Sequence, residues 1–195
     1  MWVKICGMTT SAAVNAALDA GVDAIGFVFA ESVRRVTPQA AARLAIPARQ
    51  RVPCVAVIRH ASQEELDLIL ADFAPDVLQG DLADLARLHL PGELAVLPVV
   101  RAGIEPLDLL PKRIVFEGPV SGTGVLCDWG RARVFAQRTE LVLAGGLNAR
   151  NVQEAIRAVH PFGVDVSSGV EERPGLKNPE EIARFVQAVR QEVKL

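Results

Sequence analysis

Glu140-Leu141-Val142-Leu143-Ala144-Gly145-Gly146-Leu147-Asn148 is the stretch from which the fold is read. Its continuous apolar run is the pattern of a parallel strand buried on both faces. Two glycines then break the run. Asn148 can open a helix in which Val152, Ala155, Ile156 and Val159 recur on one face. A second short apolar run, Phe162–Val166, follows. Strand, glycine loop, helix and strand make one parallel crossover unit.

Working outward, the same unit recurs along the chain. Trp2–Cys6 reads as a first strand and Ser11–Ala20 as a helix that stops at Gly21. Asp23–Phe29 is a second strand, and Thr37-Pro38 supplies an N-cap and a proline for a helix that should end before Pro47. Val52–Ile58 is a third strand. Ser62 and Glu65 form a capping box ahead of Leu66, Ile69 and Leu70. Asp76–Gln79 reads as a fourth strand, Asp81–Leu88 as its helix, and Leu94–Val100 as a fifth strand weakened by Pro98. A fifth helix over Ile104–Leu110 is brief and contains Pro106. Arg113–Glu117 is a sixth strand, Ser121-Gly122-Thr123-Gly124 a glycine-rich loop, and Asp128 a helix cap. Asn178-Pro179 opens the last helix, which carries Ile182, Phe185, Val186 and Val189.

Eight such units predict an eight-fold β/α (TIM) barrel, a single domain over residues 1–195. An open doubly wound sheet is the alternative. It would want a glycine fingerprint after strand one, and Cys6-Gly7-Met8-Thr9-Thr10 does not supply it.

Bulk properties exclude several functions. Net charge is −2 with no long basic run, which argues against nucleic acid as a partner. Apolar stretches are too short and interrupted for a membrane span, and the first residues lack a signal-peptide pattern. Cys6, Cys54 and Cys127 are widely spaced and odd in number, and the three histidines show no metal-ligand spacing. The expectation is a cytoplasmic, metal-free protein with no membrane-spanning segment.

In such barrels the chemistry lies at the carboxyl ends of the strands. Gly145 and Gly146 after strand seven, and Ser167, Ser168 and Gly169 after strand eight, are small residues where phosphate is often held. They read either as tight turns or as an anion cradle, and the coincidence of two loops favours the cradle. Cys6 closes strand one. A free cysteine is ordinarily a small buried hydrophobe, but at a barrel mouth with Gly7 behind it a thiol can also act as a base. Glu117 ends strand six and is either a solvated carboxylate or a mouth residue. Arg34 and Arg35, after strand two, are either surface charges or binders of a carboxylate.

Several segments resemble the phosphoribosylanthranilate isomerase family. Val3-Lys4-Ile5-Cys6-Gly7-Met8-Thr9 is similar to its opening motif. Gly26-Phe27-Val28-Phe29, followed by Ser32 to Arg35 and Pro38, is similar to its second unit. Leu143-Ala144-Gly145-Gly146-Leu147-Asn148 and Val164-Asp165-Val166-Ser167-Ser168-Gly169-Val170-Glu171, then Pro174-Gly175-Leu176-Lys177, match its last third. The resemblance is weak from Val52 to Pro111.

The resemblance implies an Amadori rearrangement of N-(5-phosphoribosyl)anthranilate without metal or cofactor. It carries the base onto Cys6, the acid onto Glu117 and the carboxylate-binding arginine onto Arg35. Gln79 and Asp165 join Arg35 as substrate-binding candidates. There are two departures from the family pattern: Glu117 replaces an aspartate, and Gln79 stands where a histidine is usual. A sugar-phosphate barrel enzyme of another reaction class and a non-catalytic phosphate-binding barrel are the alternatives. The expected partner is a phosphorylated small molecule, and the expected state a monomer or homodimer.

Overall fold

The computed structural model describes residues 1–101, 110–118 and 127–192. Eight strands close into a parallel barrel: β1 (Trp2–Cys6), β2 (Ala24–Val28), β3 (Cys54–Val57), β4 (Val77–Asp81), β5 (Ala95–Arg101), β6 (Arg113–Glu117), β7 (Glu140–Leu143) and β8 (Gly163–Val166). Closure runs from β8 back to β1, with Lys4 opposite Asp165 and Ile5 opposite Val166. The expected barrel is the observed one. A two-stranded hairpin, β9 (Glu171–Arg173) and β10 (Leu176–Lys177), follows β8 and was not anticipated.

Helices form where the caps are. α1 (Ser11–Asp19) is capped by Thr10, whose side chain accepts from the Ala13 N–H. α2 (Pro38–Ala45) has Thr37 as cap and Pro38 at its first position, and a 3-10 turn at Ile46–Ala48 carries it past Pro47. α3 (Gln63–Asp72) begins in the reciprocal Ser62–Glu65 capping box. α5 (Trp129–Ala136) is capped by Asp128, and α7 (Pro179–Glu192) follows Asn178. α6 (Val152–Val159) starts at Asn151, three residues later than expected. The Asn148 and Asn151 side chains bridge the intervening turn, accepting from the Arg150 and Asn148 N–H groups respectively.

Two expectations are corrected. The fourth helix, expected over Asp81–Leu88, is only the four residues of α4 (Leu82–Leu85), because Asp81 still belongs to β4 and pairs with Val99. Pro98 does not interrupt β5, because the ladder to β6 begins one residue later at Val99. The fifth helix and the Ser121–Gly124 loop lie outside the described residues, save for Leu110.

The main core lies between strands and helices. Val152, Ala155, Ile156 and Val159 of α6 and Ile182, Phe185, Val186 and Val189 of α7 are buried in it. Each large side chain so buried contributes roughly 1.5–3 kcal/mol. Inside the barrel a separate apolar cluster of Leu97, Val99, Val115, Val142 and Ala144 packs with Trp2 and Val77. The seam between β1 and β8 is different: its inward residues include Lys4, which is fully buried, and Asp165. No helix among the described residues is long and apolar enough to cross a membrane.

Candidate active site

Strand alternation sends every second residue inward, so the last inward residue of each strand rims one cavity. Cys6, Gln79, Asp81, Arg101, Glu117, Ala144 and Asp165 line it, together with Arg34, Gly145, Gly146, Ser167 and Ser168 from the loops above.

The Cys6 thiol lies at the end of β1, and the chain turns sharply behind it. Gly7 has φ +81°, and the Gly7 and Met8 N–H groups both donate to the Gly26 carbonyl at 2.9 Å. A Cβ on Gly7 would stand 2.7 Å from the Arg34 Cδ and 3.2 Å from the Ser167 Oγ, so only glycine fits there. Two residues back, the Lys4 ammonium donates to Asp165 Oδ2 at 2.9 Å. Burial pushes the Cys6 thiol above its ordinary value, and the Lys4 ammonium pulls the other way without cancelling that rise. Burial also pulls Lys4 down, but Asp165 and then Cys6 outweigh it and keep the ammonium protonated. Burial raises Asp165 against the opposing pull of Lys4. Cys54 and Cys127 are both pushed up to about 11 by burial, as inert structural thiols are.

The hairpin β9–β10 closes the β8 side. Glu171 accepts from Arg34 Nε and Nη2 at 2.7 and 2.8 Å and from Lys177 Nζ at 2.7 Å. Lys177 also donates to the Ser167 carbonyl and hydroxyl at 3.1 and 3.2 Å. Burial opposes the Glu171 charge, yet these two cations hold its carboxyl below the ordinary value.

On the opposite wall Arg101 pairs with Asp81, Nε to Oδ1 at 2.7 Å and Nη2 to Oδ2 at 3.1 Å. Its Nη1 lies 3.6 Å from Glu117 Oε2. Among the described residues, Gln79 Oε1 and Asp165 Oδ1 are buried without a hydrogen-bond partner. Each such acceptor costs on the order of 1–3 kcal/mol unless a donor arrives.

Gly145 and Gly146 have φ of +91° and +68°, which bends the β7 loop over the cavity. Asn151 Nδ2 ties that loop to the helix by donating to the Gly146 carbonyl at 2.9 Å. After β8, Ser168–Val170 form a 3-10 turn, and the first N–H groups of such a turn have no acceptor within it. Gly169 stands behind the wall: a Cβ there would lie 1.8 Å from the Leu147 carbonyl oxygen.

The cavity thus brings together Cys6, Glu117, Gln79, Asp165, Gly145, Gly146, Ser167 and Ser168. It does not bring Arg35, which is exposed and faces a neighbouring hollow with Thr37, Pro38, His60 and Glu65. The turn after β2 explains this placement. Arg35 N–H donates to the Ser32 carbonyl and Arg35 bridges to Val28, which turns Arg34 inward and Arg35 out. Lys4, Asp81, Arg101, Glu171 and Lys177 were missed. Lys4 and Asp81 did carry a signal, each being two residues from a singled-out inward residue.

The sequence profile of N-(5′-phosphoribosyl)anthranilate (PRA) isomerases matches residues 3–188. The chain belongs to the N-(5′-phosphoribosyl)anthranilate isomerase family. It is 36% identical to the isomerase of Streptococcus mutans, over 96% of this chain and 98% of that one. It is 38% identical to that of Mesorhizobium japonicum, over 96% and 94%. Among solved structures, phosphoribosylanthranilate isomerase of Thermus thermophilus superposes with a TM-score of 0.85 at 26% identity, covering 98% and 99% of the two chains. A further isomerase at 28% identity and TM-score 0.77, covering 98% and 99%, was solved with reduced 1-(o-carboxyphenylamino)-1-deoxyribulose 5-phosphate. As a PRA isomerase the protein is an enzyme of tryptophan biosynthesis, which sets aside the other reaction classes and the non-catalytic barrel.

Proposed function

We propose that the cavity isomerises N-(5′-phosphoribosyl)anthranilate by general acid–base catalysis, with Cys6 as the base and Glu117 as the acid. One observation carries this reading. Around the closed ring β6, β7, β8, β1 and β2 are neighbours, so Glu117, the two glycine–serine loops, Cys6 and Arg34 follow one another along a single rim. A substrate with its phosphate on the β7 and β8 loops has its sugar between the acid and the base.

Glu117 protonates the furanose ring oxygen, and the C1–O bond breaks to give a Schiff base. The Cys6 thiolate then removes the proton from C2. The C–H electron pair forms the C1=C2 bond as the C=N pair returns to nitrogen, and the resulting enamine tautomerises to the ketone. Gly145, Gly146, Ser167 and Ser168 hold the phosphate chiefly through N–H groups, with Gly169 joining the two loops from behind. Gln79 Oε1 and Asp165 Oδ1, both buried acceptors lacking donors among the described residues, accept from sugar hydroxyls.

Arg34 takes the anthranilate carboxylate in place of Arg35. Two of its five donors go to Glu171, which leaves the outer edge of the guanidinium for a second carboxylate. Gln79 hydrogen-bonds without charging, so the site relies on Glu117 for its acid. The 28%-identical relative solved with a reduced product analogue supports a phosphorylated ligand of this class. The scheme needs no metal or cofactor, and the enzyme works in the cytoplasm. A homodimer or a monomer serves equally, since every group named comes from one chain; a structure of monomers generated from a dimeric isomerase of Thermotoga maritima is among the relatives.

The test is turnover of the purified protein, coupled to the next pathway step. Cys6→Ser and Glu117→Gln should each lower kcat by about 10²–10⁴ while circular dichroism is unchanged. Near-parental turnover in either variant removes that residue from its role.

A further inference from the structure

A lysine with no exposed surface, inside a barrel of apolar residues, demands an explanation. Lys4 has 0% exposure and points inward from β1, two residues below Cys6. Burying a charge costs several kcal/mol unless it is paired, and a leucine or methionine would fill the space without that cost. The pairing with Asp165 explains how the charge is tolerated, but not why it is there.

Gly26, opposite Cys6 on β2, points to what the charge does. A Cβ placed there would lie 3.0 Å from Cys6 Sγ, 3.1 Å from Lys4 Cε and 3.1 Å from Lys4 Nζ. The thiol and the ammonium therefore converge on the space that Gly26 leaves open. Asp165 holds the lysine from the other side. Its Oδ2 accepts from Lys4 while its Oδ1 stays without a partner at the cavity wall.

We propose that Lys4 is a positioning residue for Cys6: its ammonium, fixed by Asp165, supplies the positive charge against which a buried thiolate forms. This rests on the reading of Cys6 as the base and deepens it. Burial holds the thiol above its ordinary value even with this cation beside it, and without the cation the thiolate would be less favoured still. The other charges facing Cys6 are Asp165 from β8, which opposes the thiolate, Lys177 from β10, which favours it, and Arg34 from the turn after β2. Lys177 and Arg34 are both engaged by Glu171, so their charges are largely compensated, whereas Lys4 shares its charge between Asp165 and Cys6.

The experiment is the pH dependence of Cys6 alkylation by iodoacetamide, read at the Cys6 peptide by mass spectrometry on folded protein. Lys4→Met should move the midpoint up by about one pH unit or more, and Asp165→Asn should move it down. Because Lys4→Met leaves a carboxylate buried alone and can fail to fold, the neutral double variant Lys4→Met/Asp165→Asn is measured too. Its midpoint should lie above that of Asp165→Asn. Midpoints that agree across the three variants and the parent overturn the proposal, as does a downward shift on loss of Lys4. The base assignment fails separately: normal turnover of Cys6→Ser overturns it whatever the midpoints do.

Discussion

A Cβ on Gly169 would stand 1.8 Å from the Leu147 carbonyl oxygen, so the loop after β8 touches the loop after β7 backbone to backbone. The two halves of the proposed phosphate cradle are thereby one rigid unit. Gly169→Ala must push them apart. The expected outcome is a loss of about 1–3 kcal/mol in urea unfolding, with weaker retention of the reduced product analogue in calorimetry. Unchanged affinity for the analogue would show that the joint does not shape the cradle.

Arg34 and Arg35 are adjacent in sequence and opposite in direction, and paired substitutions separate them. Arg34→Met should raise KM by roughly ten-fold or more, because the contact with the carboxylate exists before and during reaction. Arg35→Met should leave kcat and KM within about two-fold. The reverse pattern would return the carboxylate to Arg35.

Glu117 has Arg101 Nη1 at 3.6 Å, while Asp81 holds the same arginine at 2.7 Å. Glu117→Asp shortens the reach by one methylene but keeps an acid. It should retain at least about one-tenth of kcat where Glu117→Gln retains almost none. Steady-state rates of the two variants decide it: turnover of Glu117→Gln close to the parent's would mean that the acid is another group.

Glu171 is held below its ordinary value by Arg34 and Lys177. A carboxylate lowered in the folded state stabilises fully above its unfolded value, near about 4.3, and that contribution disappears as pH falls through the folded value. Unfolding free energy should therefore drop on acidification below about pH 4.3, and the drop should shrink in Glu171→Gln. At pH 7, Glu171→Ala should cost on the order of 3 kcal/mol, since Lys177 would lose its charged partner in the interior. Urea titrations at pH 7 and pH 3.5 measure both effects.

Local rules carried the fold. Trp2–Cys6 and Arg113–Glu117 are strands as read, and the Thr37, Ser62–Glu65 and Asp128 caps start helices as read, because each depends on residues within one turn of chain. What was not legible depends on geometry beyond that range. Asp81 reads as the first residue of a helix, yet its pairing with β5 keeps it in a strand and α4 begins one residue later. The choice between Arg34 and Arg35 is made by a turn whose sense no spacing rule gives. The cluster of Glu171, Lys177 and Arg34 exists only because a short hairpin folds back to the β2 loop, 137 residues away from Arg34 to Glu171.

The seam between β1 and β8 fixes the order in which activity can appear. Lys4 stands in the first strand of the barrel, and its carboxylate partner lies 161 residues later. Until that partner emerges, the first strand carries a charge that no partial barrel can bury without penalty. The eighth strand both closes the ring and neutralises the charge. The thiol environment is thus assembled last, by the same event that completes the fold, and a truncated or nascent chain has a cysteine but no active centre.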